Sequence, residues 1–198
     1  MGSACGMMLG ACAGQPSAPE ASSATVRTEP STTATTNPYA VPAVIDAAYV
    51  NRVLAWLDQF EGDIARHVMA SRTLAPDDIA RLKAIHASDG AFQVALDAYQ
   101  FDIRSGFAGA LPNPGNLKTV VIQMLSAKSS CVYVKVDRDY SAVASNPNPS
   151  LAGPQWVALR RLNPPVSPYN VTGWGYQLNG GAFGAKPTAP ATDPCAPF

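Results

Sequence analysis

Apolar residues recur at helical spacing between Pro42 and about Ser71, where Val50, Val53, Leu57, Phe60, Ile64 and Val68 fall three or four positions apart. The spacing predicts a long amphipathic helix with one buried stripe, and it puts Asp58, Glu61 and Arg66 on other faces. A second helix is expected to open at Pro76, a residue suited to a first turn. Asp77 and Asp78 follow, where acidic charge meets the positive helix end, and Ile79, Leu82 and Ile85 form its stripe. The break at Ser88-Asp89-Gly90 predicts a third helix from Ala91 to about Ser105, carrying Phe92, Leu96, Tyr99 and Ile103.

The period then falls from 3.6 to two. Residues 107–117 hold Pro112, Pro114 and Gly115 and read as a loop. Thr119 to Leu125 and Cys131 to Tyr140 read as strands joined by a turn around Lys128 to Ser130. In the second of these, Val132, Val134 and Val136 share one face, and Tyr133, Lys135 and Asp137 share the other. The Pro-rich stretch from Asn146 to Pro149 interrupts the sheet. Further strands are expected at Gln155 to Leu162 and Thr172 to Leu178, with an irregular segment from Gly180 onward. Helices followed by a meander define an α+β class, here three N-terminal helices packed on a curved antiparallel sheet of about four strands.

The order resembles the nuclear transport factor 2-like cone fold. The likeness rests on the opening NPYAVPAVIDAAYVNRVL, the strand CVYVKVDRDYSAV, the strand WVALRRL and the closing NVTGWGYQL, and spans residues 38 to about 180. The chain is also similar to secreted bacterial lipoproteins that carry such a domain. The short hairpin those domains place between their second and third helices is not visible here. The resemblance implies a concave interior, in which some members use an inward carboxylate as a general base. It also implies a homodimer formed through the open sheet face.

Cysteine placement bears on compartment. Leu9-Gly10-Ala11-Cys12 reads as a lipobox, which makes Cys12 the acylated residue and residues 1–12 a truncated lipoprotein signal. The first basic residue is Arg27, so the positive region of that signal is expected upstream of Met1. Residues 13–37 are rich in Ser, Thr, Ala and Pro, with Val26 the sole large aliphatic, and read as a disordered stalk reaching roughly 25–30 Å. Residues 38–198 are left as a single domain. With Cys12 lipidated and Cys5 removed with the signal, Cys131 and Cys195 are expected to form a disulfide in an oxidising compartment. The expected location is the extracytoplasmic face of a bacterial membrane, reached through the lipid anchor.

Charge narrows the partners. With 14 basic and 14 acidic residues, the chain lacks the cationic excess that nucleic acid demands. No apolar run reaches the roughly 20 residues of a membrane-spanning helix. No cofactor or metal site is expected: His67 and His86 are read on separate helices without a second ligand at metal-binding spacing, and neither a nucleophile elbow nor a phosphate loop occurs. No catalytic residue is assigned. Asp137 and Asp139, flanking Arg138, are the carboxylates weighed as a base, with a solvated strand end the preferred reading. Trp56, Tyr99, Tyr133 and Trp174 are candidate lining residues for an apolar ligand. Asn170-Val171-Thr172 matches a glycosylation sequon that is incidental in a bacterial setting. The expected function is a non-enzymatic binding or accessory module for an apolar small molecule or an envelope protein. The alternative is a small isomerase- or cyclase-like enzyme with an Asp base.

Overall fold

The computed structural model describes residues 37–145, 153–163, 167–179 and 189–196, all within one compact unit, Thr36–Phe198. The signal, the lipidation site Cys12, the stalk up to residue 36 and the Asn146–Pro149 break lie outside the described residues. Helix α1 is Ala47–Ser71, α2 is Pro76–Ala84 and α3 is Asp89–Arg104. α1 starts at Ala47 rather than near Pro42 because Asp46 is its N-cap, accepting from the Tyr49 N–H at 2.8 Å. Ser88 caps α3 in the same way, accepting from the Ala91 N–H, which moves that start two residues ahead of Ala91. Asp78 turns inward at α2. Its carboxylate accepts from the Ala75 N–H at 3.0 Å and lies 2.8 Å from His67 Nδ1. His67 is exposed, as its helical position implies, but is paired with that acid.

Four strands follow: β1 (Lys118–Lys128), β2 (Cys131–Asp139), β3 (Gln155–Arg161) and β4 (Trp174–Asn179). They pair in the order β1-β2-β3-β4, each neighbour antiparallel. The fold is thus the expected α+β arrangement with its helices N-terminal to the sheet. Two register shifts in β1, between Val121 and Gln123 and between Met124 and Ser126, each insert an extra residue and bend the strand. The inward alternation of β2 brings Val132, Val134 and Val136 against Val157, Leu159, Trp174 and Tyr176 and against Val53, Leu57 and Ile64 of α1. Each fully buried aliphatic side chain there contributes about 2 kcal/mol of transfer free energy.

Both sheet edges are engaged by the helical layer. On β1 the N–H groups of Thr119 and Val121 donate to Asp58 Oδ2 and Asn51 Oδ1 of α1, each at 2.8 Å. On β4 the Tyr176 N–H donates to the Ile85 carbonyl and the Tyr176 carbonyl accepts from the Ala87 N–H, both at 2.8 Å. Gly175 makes that second approach feasible, since a Cβ there would stand 2.7 Å from Leu162 and 3.1 Å from the Ala87 nitrogen. Asn170 ties the same corner. Its Nδ2 donates to the carbonyls of Ala84 and Trp174, each at 2.9 Å, and its side chain is fully buried. In the folded chain the sequon asparagine is therefore closed to modification.

The outer face of the sheet carries a second, smaller core. Cys131 and Cys195 are bridged with Cα atoms 5.5 Å apart, and they pack with Tyr133 and Ala158, flanked by Trp156 and Leu178. Two cations fasten the C-terminal segment over it: Lys128 Nζ donates to the Cys195 carbonyl at 2.7 Å and Arg160 Nη2 to the Pro194 carbonyl at 2.9 Å.

Candidate functional site

The polar groups of the interior converge on Arg138. Strand alternation decides this: because Val132, Val134 and Val136 face the core, the next inward position is Arg138. Asp137 and Asp139 consequently face solvent, and neither supplies an interior base. The Arg138 guanidinium donates to Gln155 Oε1 at 3.3 Å and to Asn179 Oδ1. Gln155, itself fully buried, donates from Nε2 to Tyr140 Oη at 2.9 Å.

The facing carboxylates come from α1, and this corrects their assignment to outer faces. Asp58 is 4% exposed and Glu61 is partly buried. Leu54, Asp58, Glu61, Ala65 and Val68 form one continuous helical row, of which Leu54 and Val68 are fully buried, so the two acids enter the core with their neighbours. Asp58 is held by Thr119, whose N–H donates to Oδ2 at 2.8 Å and whose hydroxyl donates to Oδ1 at 3.0 Å. Burial pushes the Asp58 carboxyl up to about 6, against the lowering field of Arg138 and the Thr119 bonds. Burial likewise raises Glu61, opposed by Arg138 and a bond from Asn179. Burial works against the Arg138 charge, but its surroundings outweigh this and raise its pKa, through Tyr176 and Tyr140 only where they ionise and through the carboxylates Asp58 and Glu61.

Two atoms of this cluster stand out chemically. Tyr176 Oη and Arg138 Nε are buried and without a hydrogen-bond partner among the described residues. An unpaired buried donor costs about 1–3 kcal/mol, so such groups call for a water or a ligand oxygen. Burial and the nearby carboxylates push the Tyr176 phenol well above its usual range, so it stays a neutral donor.

The candidate lining aromatics are not brought together. Trp174 is in the main core, its Nε1 donating to Tyr49 Oη at 2.8 Å. Tyr99 is also there, donating to the Glu61 main-chain carbonyl at 3.3 Å, and Trp56 packs at the margin, stacked on Phe60. Tyr133 lies in the outer core beside the disulfide. Among the described residues no group of three or more His, Cys, Asp or Glu is placed to hold a metal, and no helix is long and apolar enough to cross a membrane.

Comparisons with family models, curated proteins and solved structures find no match to this chain.

Asp58 makes stability depend on pH. Its folded-state affinity for protons exceeds that of the unfolded chain, so the folded state binds more protons between about pH 4 and 6. Stability contributed by this group is present below that window and is lost as pH rises through it, by at most about 3 kcal/mol. Glu61 and Asp102, also raised by burial, act in the same direction, and exposed Asp139, lowered by its Ser141 bonds, acts oppositely. Urea unfolding across pH 4–7 should show a shallower decline in Asp58→Asn than in the parent. Equal slopes would remove Asp58 as the titrating group.

Proposed function

We propose that this chain is a membrane-anchored extracytoplasmic lipoprotein acting as a non-enzymatic binding or accessory module for an apolar small molecule or an envelope protein. The observation that carries the reading is the Cys131–Cys195 bridge, because such cross-links persist in oxidising compartments and are rare in the cytosol. Three helices followed by a bulged four-strand meander also agree with the order that the cone-fold resemblance implies, and so support it. The unpaired Tyr176 Oη and Arg138 Nε favour an interior ligand that carries at least one oxygen acceptor on its apolar body. Val120, Ile122 and Leu125, exposed on β1, favour a homodimer built on the sheet.

A second reading has one observation in its favour. Asp58, held near 6 within the field it shares with the neutral Tyr176 hydroxyl, combines a base and a donor of the sort an isomerase- or cyclase-like enzyme uses. Both Asp58 oxygens already accept from Thr119, however, which commits the carboxylate to the fold and favours binding over turnover.

Native mass spectrometry of protein taken from its own membrane fraction tests the proposal. The expected result is an acyl mass on Cys12, an oxidised cysteine pair and a co-purifying small molecule. An unmodified, reduced and empty chain overturns it.

A further inference from the structure

A groove of about 470 Å³ opens where the end of α2 meets the start of α3 and the end of β3, away from the Arg138 cluster. Its size is within the range of small-molecule sites. The walls divide by chemistry. Phe92 and Leu162 supply apolar surface, Lys83 and Arg161 supply cations, and Asp89 and Asn163 supply a carboxylate and an amide.

Arg161 is the distinctive member. Its guanidinium lies over the Trp174 ring, 5.2 Å from the centroid, and Nη1 donates to the Thr172 carbonyl at 3.1 Å. These contacts fix the fork in place and leave other N–H groups available. No carboxylate among the described residues pairs with Arg161, although it is partly buried, whereas Lys83 has Asp89 at 3.7 Å. The lining thus holds one compensated cation and one uncompensated, pre-positioned one. His86 is 6% exposed and its Nδ1–H donates to the Leu82 carbonyl at 2.7 Å, so its ring forms a wall of the groove and supplies no donor to an anion. A partly buried guanidinium lacking a counter-ion favours a bidentate anion, and carboxylate geometry matches its fork.

We propose that this groove is a binding site for a small carboxylate with an apolar body, its carboxylate on Arg161 and its body against Phe92 and Leu162. Lys83, whose ammonium lies 5.8 Å from the Phe92 ring centroid, supplies longer-range attraction at the rim.

The test is titration of the full chain with sodium benzoate at constant ionic strength, followed by amide NMR shifts at Ala87, Ser88 and Asn163, with sodium chloride and inorganic phosphate run alongside. Saturable shifts at these three amides are expected with benzoate and not with chloride. Phosphate, which lacks the apolar body, is expected to bind at least tenfold more weakly. Arg161→Gln should weaken benzoate at least tenfold and Arg161→Lys less. Lys83→Gln, at a side chain that is largely exposed and outside the core, should cost about twofold to threefold. Should Arg161→Gln fail to fold, the Arg161→Lys and Lys83→Gln pair still ranks the two cations. Shifts scattered over unrelated surface lysines, phosphate binding equal to benzoate, or an unaltered affinity in Arg161→Gln would each overturn the proposal.

Discussion

Replacing Arg138 with methionine is expected to destabilise the fold by about 3–5 kcal/mol near neutral pH, and by clearly less at pH 5. Methionine keeps most of the length and apolar volume of the stem, so the loss comes from the charge. Without the guanidinium, Asp58 and Glu61, neighbours on one row of α1, lie in the interior with no cation opposing them, and the Asn179 oxygen loses its bond from Arg138. The carboxyls can respond by taking up protons, which is why acid should shrink the penalty. Urea unfolding of the parent and Arg138→Met at pH 7.5 and 5 measures this directly. Combining Arg138→Met with Asp58→Asn and Glu61→Gln should recover a large part of the loss, since no charge then remains in this cluster. A penalty independent of pH, or no recovery in the triple variant, would show that Arg138 acts through packing.

The second large effect concerns the outer face. Removing the bridge by Cys131→Ala with Cys195→Ala is expected to lower stability by about 4 kcal/mol, the loop-closure value for a sequence separation of 64. In a domain of this size that lowers the melting temperature by roughly 10 °C. The bridge belongs to a buried cluster separate from the main core, so the interior should survive, whereas Tyr133, Trp156 and Leu178 should gain solvent as the C-terminal segment loosens. Thermal unfolding with and without reductant reads the stability. Quenching of tryptophan emission by iodide reads the exposure, with Trp156 the residue expected to respond. Equal melting temperatures in oxidised and reduced protein would mean that Lys128 and Arg160 alone secure the segment.

How far the sequence foretold these features depends on the element. Period-3.6 and period-two patterns placed all three helices and all four strands, because each buries one face and that face repeats. Boundaries shifted where a side chain, rather than a pattern, sets the end: Asp46 starts α1 and Ser88 starts α3. Inward and outward residues of β2 were legible as far as Val136. The same alternation carried one step further puts Arg138 inside and both neighbouring aspartates outside, yet the density of charge at residues 137–139 draws attention to the acids. Asp58 and Glu61 were harder to see. A helix gripped by both a sheet and other helices buries more than a single stripe, and only the row through Leu54, Asp58, Glu61, Ala65 and Val68 hints that acids share it. The dispersal of Trp56, Tyr99, Tyr133 and Trp174 could not be read from spacing, since which sheet face a distant segment covers is a tertiary fact.

The bridge also orders events in time. Cys131 sits at the turn between β1 and β2, and Cys195 follows β4, so a chain delivered from its N-terminus presents the first thiol while the third and fourth strands are still to come. For that interval Cys131 lacks its native partner, and an early oxidant would link it to an upstream cysteine, Cys5 or Cys12, or to another molecule. The native bridge can therefore close only once all four strands are present in the delivered chain.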